Sequence, residues 1–85
     1  MKAITKRLIE EHLDKAREKH PCFTIEGIIQ VPAIATEELG EMTKEINEAY
    51  FFRSKSAKKY LKHKQLAEEE AFDLIAVLIR FIEGD

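Results

Sequence analysis

The sequence is poor in the features that mark several common classes of small protein. Its 85 residues include one cysteine, Cys22, so an internal disulfide and a metal-binding cysteine pair are both excluded. No repeat, low-complexity tract or linker divides the chain. No apolar run approaches the ~20 residues of a membrane-spanning helix, and no charged-then-apolar leader opens the chain. We therefore expect a single cytoplasmic domain, residues 1–85, that does not enter a membrane.

The chain also lacks a strong charge of either sign. Its formal net charge of −2 argues against nucleic acid as the main partner. Hydrophobic residues make up 45% and charged residues 35%, which indicates a globular protein rich in helix formers rather than a disordered tail.

Apolar residues at helical spacing predict a first helix from about Lys2 to Lys19. Pro21 ends it, because proline disfavours the helical conformation of the preceding residue, and Thr24 is a candidate cap for the next helix. The second helix has an irregular beginning, since Pro32 removes a hydrogen bond. Either this helix kinks near Pro32, or a short helix ends there and the main one starts at Pro32.

The helical pattern is regular from Ala33 to about Tyr50. Its apolar line comprises Ala35, Leu39, Met42, Ile46 and Ala49. Acidic residues run beside this line. At about 100° per residue, Glu38 and Glu45 border the core and Glu41 lies further round the helix. Taken alone, such a face is most often only solvated.

A basic and aromatic connection follows, with six lysine or arginine residues between Phe51 and Lys64. We expect a turn from about Phe52 to Ser56 and an exposed His63. The segment is either a solvated loop and helix start or an anion site. The candidate phosphate ligands are Arg53, Lys58, Lys59 and Lys62.

A third helix is predicted from roughly 61–65 to Glu83, with Gly84 as its stop. From Ala71 to Ile82 every residue is apolar except Asp73 and Arg80. A helix that is apolar on most faces is normally buried, and so small a chain cannot cover it alone, so we expect a homo-oligomer with this helix at the interface.

The third helix also contains two neighbouring carboxylates, Glu70 and Asp73, on one face. Carboxylates at the edge of an apolar helix need compensating charge. Arg80, another basic group or a metal ion would supply it.

The predicted fold is all-α: a helical hairpin plus an N-terminal helix, forming a four-helix-bundle-like oligomer. An antiparallel hairpin can bring Glu38 and Glu41 opposite Glu70 and Asp73. Mg²⁺, or alternatively Mn²⁺, prefers oxygen ligands of this kind, with water and substrate phosphates completing its shell. The basic connection would then neutralise a metal-bound triphosphate while the metal activates water for attack on phosphorus.

The residue that accepts a proton from that water could be Glu37, Glu41 or Glu45, because spacing alone does not rank them.

The two acidic segments resemble a known family. Residues 37–41 have the form E-E-x-x-E, and residues 70–73 have the form E-x-x-D with an apolar tail. Over about residues 33–84 this pair resembles the MazG-type all-α nucleoside triphosphate pyrophosphohydrolases. The resemblance implies Mg²⁺-dependent hydrolysis of a ribo- or deoxyribonucleoside triphosphate to the monophosphate and pyrophosphate, as in nucleotide-pool house-cleaning, by a homodimer or homotetramer.

By motif position, the resemblance also implies roles for individual residues. The implied metal ligands are Glu38, Glu41, Glu70 and Asp73. Glu37 would be a supporting acid beside Glu38 and Glu41 in the catalytic group, and basic residues of the 53–64 segment would contact phosphate.

Two other functions are compatible with the sequence. The first is a non-catalytic helical oligomerisation or interaction module, in which Asp73 pairs with Arg80 of a neighbouring helix and the glutamates are solvated. The second is nucleic-acid binding, with Phe51, Phe52 and Tyr60 stacking on bases, although the surrounding acids would repel the phosphate backbone.

Overall fold

Three α-helices make up the described part of the chain. The structure is a computed structural model that describes residues 1–20 and 25–84, with side chains at 1–20 and 29–84. Helix α1 spans Ala3–Lys19, α2 spans Ile25–Phe52 and α3 spans Ala57–Glu83. The all-α prediction is confirmed for these residues. The predicted break at Pro21, the Thr24 cap and Cys22 lie outside the described residues.

Helix α2 is continuous through Pro32, so the main helix does not restart at the proline. Proline lacks the N–H that would bond to the carbonyl one turn earlier. The carbonyl of Pro32 itself accepts a hydrogen bond from the Thr36 hydroxyl at 2.7 Å. The 28 residues of α2 give it a length of about 42 Å, at about 1.5 Å per residue.

Helix α3 begins at Ala57, earlier than the predicted start at 61–65. Ser56 has an extended backbone, and its hydroxyl oxygen accepts the N–H of Lys59 at 3.3 Å, which caps the helix. Lys58 and Lys59 are therefore helical, as their propensity allows. At the other end, Gly84 has a φ of 77° and donates its N–H to the Arg80 carbonyl, so the predicted stop is confirmed.

The helices pack as an antiparallel α2–α3 hairpin with α1 parallel to the second half of α3. His12 meets Asp73, and Arg17 meets Glu83, so residue numbers rise together along α1 and α3. Within the described residues α1 packs against α3 but not against α2. A cleft therefore separates α1 from the first half of α2, and α3 forms its floor.

The buried apolar core consists mainly of small side chains. Its members are Leu13, Val31, Ala49, Ala67 and Ala76. Arg80 is also buried, and its guanidinium donates hydrogen bonds to the carbonyls of Ala16, at 3.0 Å, and His20. Arg80 thus satisfies backbone acceptors at the C-terminal end of α1, where cations are favoured.

Several large apolar side chains remain exposed on the hairpin. Those on α2 include Leu39, Ile46 and Tyr50, and those on α3 include Leu61, Leu78 and Phe81. None of the described helices is both long enough and apolar enough to span a bilayer.

Candidate metal centre

Three glutamates converge where the two predicted motifs face each other. Glu38 and Glu41 lie on successive turns of α2, and Glu70 faces them from α3. One carboxylate oxygen from each residue lies within 4.8 Å of the other two. The structure thus brings together three of the four predicted metal ligands, which we call the acid cluster (Glu38, Glu41, Glu70).

The acid cluster is short of positive charge. One oxygen of Glu38 and one of Glu70 are buried and have no hydrogen-bond partner among the described residues. Burying a carboxylate oxygen without a partner costs free energy. A cation or a proton between these oxygens would remove that cost.

The pKa values of the cluster reflect this shortage. The pKa of Glu70 is raised, mainly by a hydrogen bond shared with Glu38 and by burial. The pKa of Glu41 is raised by a hydrogen bond to Glu70 and by the charge of Glu70. Because ionised carboxylates only accept hydrogen bonds, a contact between two of them needs a proton on one partner. When all three carboxylates are ionised, the two buried oxygens have no hydrogen-bond donor. Uptake of one proton would supply a donor, and the raised pKa values of Glu41 and Glu70 reflect this tendency.

Asp73, the fourth predicted ligand, lies beside the cluster but is turned towards α1. Its Oδ1 contacts Nδ1 of His12 at 2.9 Å, while its charge still raises the pKa of Glu41 and Glu70. The His12 ring also stacks on Phe72, with 5.3 Å between centroids. Within the chain Asp73 therefore contacts His12, and its pairing with Arg80 of a neighbouring helix, which the interaction-module hypothesis supposes, stays a prediction.

His12 is the residue of this site that sequence reasoning missed. Nothing on its own helix marks it as a ligand, because no second histidine or cysteine shares its face. Its partner lies 61 positions away, so no local spacing links the two.

The other two candidate bases have different surroundings. Glu37 is exposed on α2 and is not part of the acid cluster. Glu45 contacts Nδ1 of His63 at 2.6 Å, and both side chains are 19% exposed. The His63 ring is stacked on Phe52, with 5.7 Å between centroids. The prediction that His63 is exposed is wrong, because Glu45 and Phe52 hold it between the helices.

The predicted phosphate ligands lie towards the other end of the hairpin. Lys58, Lys59 and Lys62 precede Glu70 on α3 by 8 to 12 positions, which is about 12–18 Å along the helix axis. The guanidinium of Arg53 lies 5.2 Å from the ring centre of Tyr50. Within one chain these cations are not brought to the acid cluster, so their contact with phosphate stays a prediction.

The cleft between α1 and α2 opens beside the acid cluster and has a volume of about 650 Å³. Small-molecule sites typically have volumes of about 300–1,000 Å³. Glu38 and Asp73 line the cleft at the cluster end, and Lys15 and Lys19 of α1 line it further along. Glu38 belongs to both, so the cleft adjoins the acid cluster.

Comparison with protein-family models, with curated proteins and with solved structures finds no match to this chain. The function must accordingly be inferred from the residues and geometry of this site.

Proposed function

We propose that the protein is a Mg²⁺-dependent nucleoside triphosphate pyrophosphohydrolase, with Mn²⁺ as an alternative metal. The observation that carries this proposal is the acid cluster, whose two buried oxygens lack a partner among the described residues. All donors of the cluster are carboxylates, which suits a hard divalent cation better than zinc or a soft metal. Such a cation would remove both the electrostatic repulsion and the unpaired acceptors.

Glu38, Glu41 and Glu70 would hold the metal. Asp73 would join them by giving up its contact with His12 and binding the cation instead. The bound metal would lower the pKa of a water ligand and polarise a phosphate oxygen. Water then adds to the α-phosphorus and the bond to the bridging oxygen breaks, which gives the monophosphate, pyrophosphate and one proton.

We assign the uptake of that proton to Glu41. Glu45 is engaged by His63, and Glu37 lies outside the acid cluster. Glu41 is exposed and lies within the cluster, so the carboxylate oxygen of Glu41 that does not hold the metal would accept the proton.

The test is pyrophosphate release from a panel of ribo- and deoxyribonucleoside triphosphates with Mg²⁺. Glu38→Gln and Glu70→Gln should abolish release, because each removes a ligand charge while preserving shape. Glu69→Gln is the matched control, since Glu69 is exposed and adjacent to Glu70 but outside the acid cluster. The proposal fails if the folded protein releases nothing from any nucleotide, or if both cluster variants remain active.

We also propose that the protein is a homodimer or homotetramer packed as a four-helix bundle. Supporting this, Ile46 is 49% exposed and Tyr50 is 72% exposed on α2. Both line an apolar groove of about 460 Å³ between α2 and α3. Covering these side chains would add the burial that the small core lacks.

Sedimentation velocity tests the oligomer. Ile46→Glu should give a monomer, whereas Lys44→Glu, an exposed change on the same helix, should not. A wild-type protein that stays monomeric at high micromolar concentration would contradict this proposal. A nucleotide-pool role would place the protein in the cytoplasm.

The alternative is a non-catalytic helical interaction module, which the exposed apolar side chains also favour. The two functions differ in their response to metal. At a concentration 100 times its dissociation constant, a bound ion stabilises the folded state by about 2.7 kcal/mol. Mg²⁺ or Mn²⁺ should therefore raise the melting temperature of the enzyme, whereas an interaction module should be indifferent.

A further inference from the structure

The cleft between α1 and α2 points to the residues that bind the phosphates of the substrate. We propose that Lys15 and Lys19 of α1, rather than the basic residues of the 53–64 segment, neutralise the triphosphate bound at the acid cluster. This inference rests on the proposed function and deepens it, because it identifies which wall of the site carries the phosphate contacts.

The first argument is position. The contact between His12 and Asp73 sets α1 and α3 side by side at the level of the acid cluster. Lys15 and Lys19 follow His12 by about 4.5 Å and about 10.5 Å along the helix axis, at about 1.5 Å per residue. Their spacing of four residues places both on one face, and both line the cleft. A phosphate chain that leaves the cluster along the cleft passes Lys15 and then Lys19.

The second argument is charge. Among the described residues, neither Lys15 nor Lys19 takes part in an ion pair. The two carboxylates that line the cleft with them are otherwise engaged, Glu38 in the acid cluster and Asp73 with His12. These two ammonium groups are therefore available for an anionic ligand, and an ammonium group binds phosphate as a compact point charge.

The 53–64 segment has a different arrangement. The ammonium groups of Lys55 and Lys59 lie 4.2 Å and 4.9 Å from the ring centres of Phe51 and Phe52. Arg53 lies over Tyr50 in the same way. These cations are held by aromatic faces. Lys58, Lys59 and Lys62 lie about 12–18 Å from Glu70 along the axis of α3, and Lys64, which is nearer, is paired with Glu68 at 3.9 Å.

The remaining surface of the cleft suits the nucleoside. Ile34 of α2 lies on the wall opposite α1, and Ala76 and Val77 of α3 form the floor. An apolar wall and floor beside a few charged groups are typical of small-molecule sites. The substrate would thus lie between an apolar surface and the two lysines, with its phosphates directed to the acid cluster.

The experiment compares three double variants of the full chain. They are Lys15→Ala/Lys19→Ala, Lys58→Ala/Lys62→Ala and, as a control pair with the same spacing at the start of α1, Lys2→Ala/Lys6→Ala. Each is assayed for KM and kcat of pyrophosphate release, for binding of a non-hydrolysable α,β-imido nucleoside triphosphate, and for Mn²⁺ binding. Circular dichroism and melting temperature confirm that each variant is folded.

We expect the first pair to weaken binding of the analogue, and to raise KM, by about tenfold or more, because two charge-assisted contacts are lost. Its affinity for Mn²⁺ should be unchanged, since neither lysine is a metal ligand. The second pair should have a smaller effect, and the control pair none.

Three results would overturn the inference. They are an equal loss of affinity in all three variants, a larger loss in Lys58→Ala/Lys62→Ala, and no binding of the analogue to the wild-type chain. Binding that depends on Lys15 and Lys19 without any hydrolysis would support the inference and contradict the proposed reaction, so the two failures are distinguishable.

Discussion

Two layers of the α2–α3 hairpin place similar acids in opposite surroundings. In the first layer, Glu45 of α2 meets His63 of α3 at 2.6 Å. In the second, Glu38 of α2 meets Glu70 of α3. Each member of the second layer is seven positions from its counterpart in the first, and a seven-residue step returns to nearly the same face of a helix. The two layers are therefore equivalent positions of one helix pair.

The difference between the layers indicates where the chain depends on a ligand. His63 gives Glu45 a hydrogen-bond donor, so that layer is complete within the protein. Glu38 has another carboxylate opposite it, and no cation among the described residues forms an ion pair with Glu38 or Glu70. Buried polar groups are nearly always satisfied in native proteins, so an unsatisfied pair requires an explanation such as an ion or a proton.

The largest expected effect comes from giving the second layer the same glutamate–histidine pair as the first. Glu70→His places a histidine opposite Glu38, which should satisfy Glu38 and remove a metal ligand. We expect pyrophosphate release to fall by at least about 100-fold, since even changes behind the ligands of a metal site cost about 10–100-fold. Glu69→His is the control, and it should leave release nearly unchanged. Retention of activity by Glu70→His would mean that the acid cluster is not the reaction centre.

A smaller effect, on the free energy of unfolding, is expected when the histidine of the first layer is removed. His63→Ala leaves the half-buried Glu45 without its partner, which should lower the free energy of unfolding by about 1–3 kcal/mol. Glu38→Gln in the second layer should cause no such loss without metal, because it relieves repulsion with Glu70. Urea denaturation in the presence of a chelator measures both. Equal destabilisation by the two variants would show that the layers do not differ in charge balance.

The smallest expected effect is a change in how the free energy of unfolding depends on pH. The pKa of Glu70 in the folded chain is above its ordinary value, so between those two values the folded state binds more protons than the unfolded state. The contribution of Glu70 to the free energy of unfolding therefore falls as pH rises through that interval. Without metal, the wild type should lose stability relative to Glu70→Gln as pH rises, and Mg²⁺ should suppress this loss. A difference between the two proteins that is constant with pH would contradict the assignment.

Much of the fold follows from periodicity and from local capping chemistry. The apolar spacing predicted all three helices, and Gly84 ends α3 as expected because it adopts a positive φ. Reckoning at about 100° per residue placed Glu38 and Glu45 at the edge of the core, and both are half-buried. The turn predicted from about Phe52 to Ser56 matches the structure, but α3 begins directly after the Ser56 cap, at Ala57, rather than at 61–65.

The candidate site was predicted less completely, since part of it depends on how α1 docks. The meeting of Glu38, Glu41 and Glu70 follows from the antiparallel hairpin, whose helices are joined by a short turn. The pairing of Asp73 with His12 and the position of Lys15 depend on packing between residues about 60 positions apart. No sequence spacing encodes that contact, so the sequence suggested phosphate ligands only in the 53–64 segment.

The central claim is that the acid cluster binds a divalent cation, and Mn²⁺ tests it most directly. Titration followed by electron paramagnetic resonance would compare the wild type with Glu38→Gln and Glu69→Gln. The account predicts a single saturable site in the wild type that Glu69→Gln keeps and Glu38→Gln loses. The absence of a saturable site in the wild type, or an equal site in all three proteins, would contradict it.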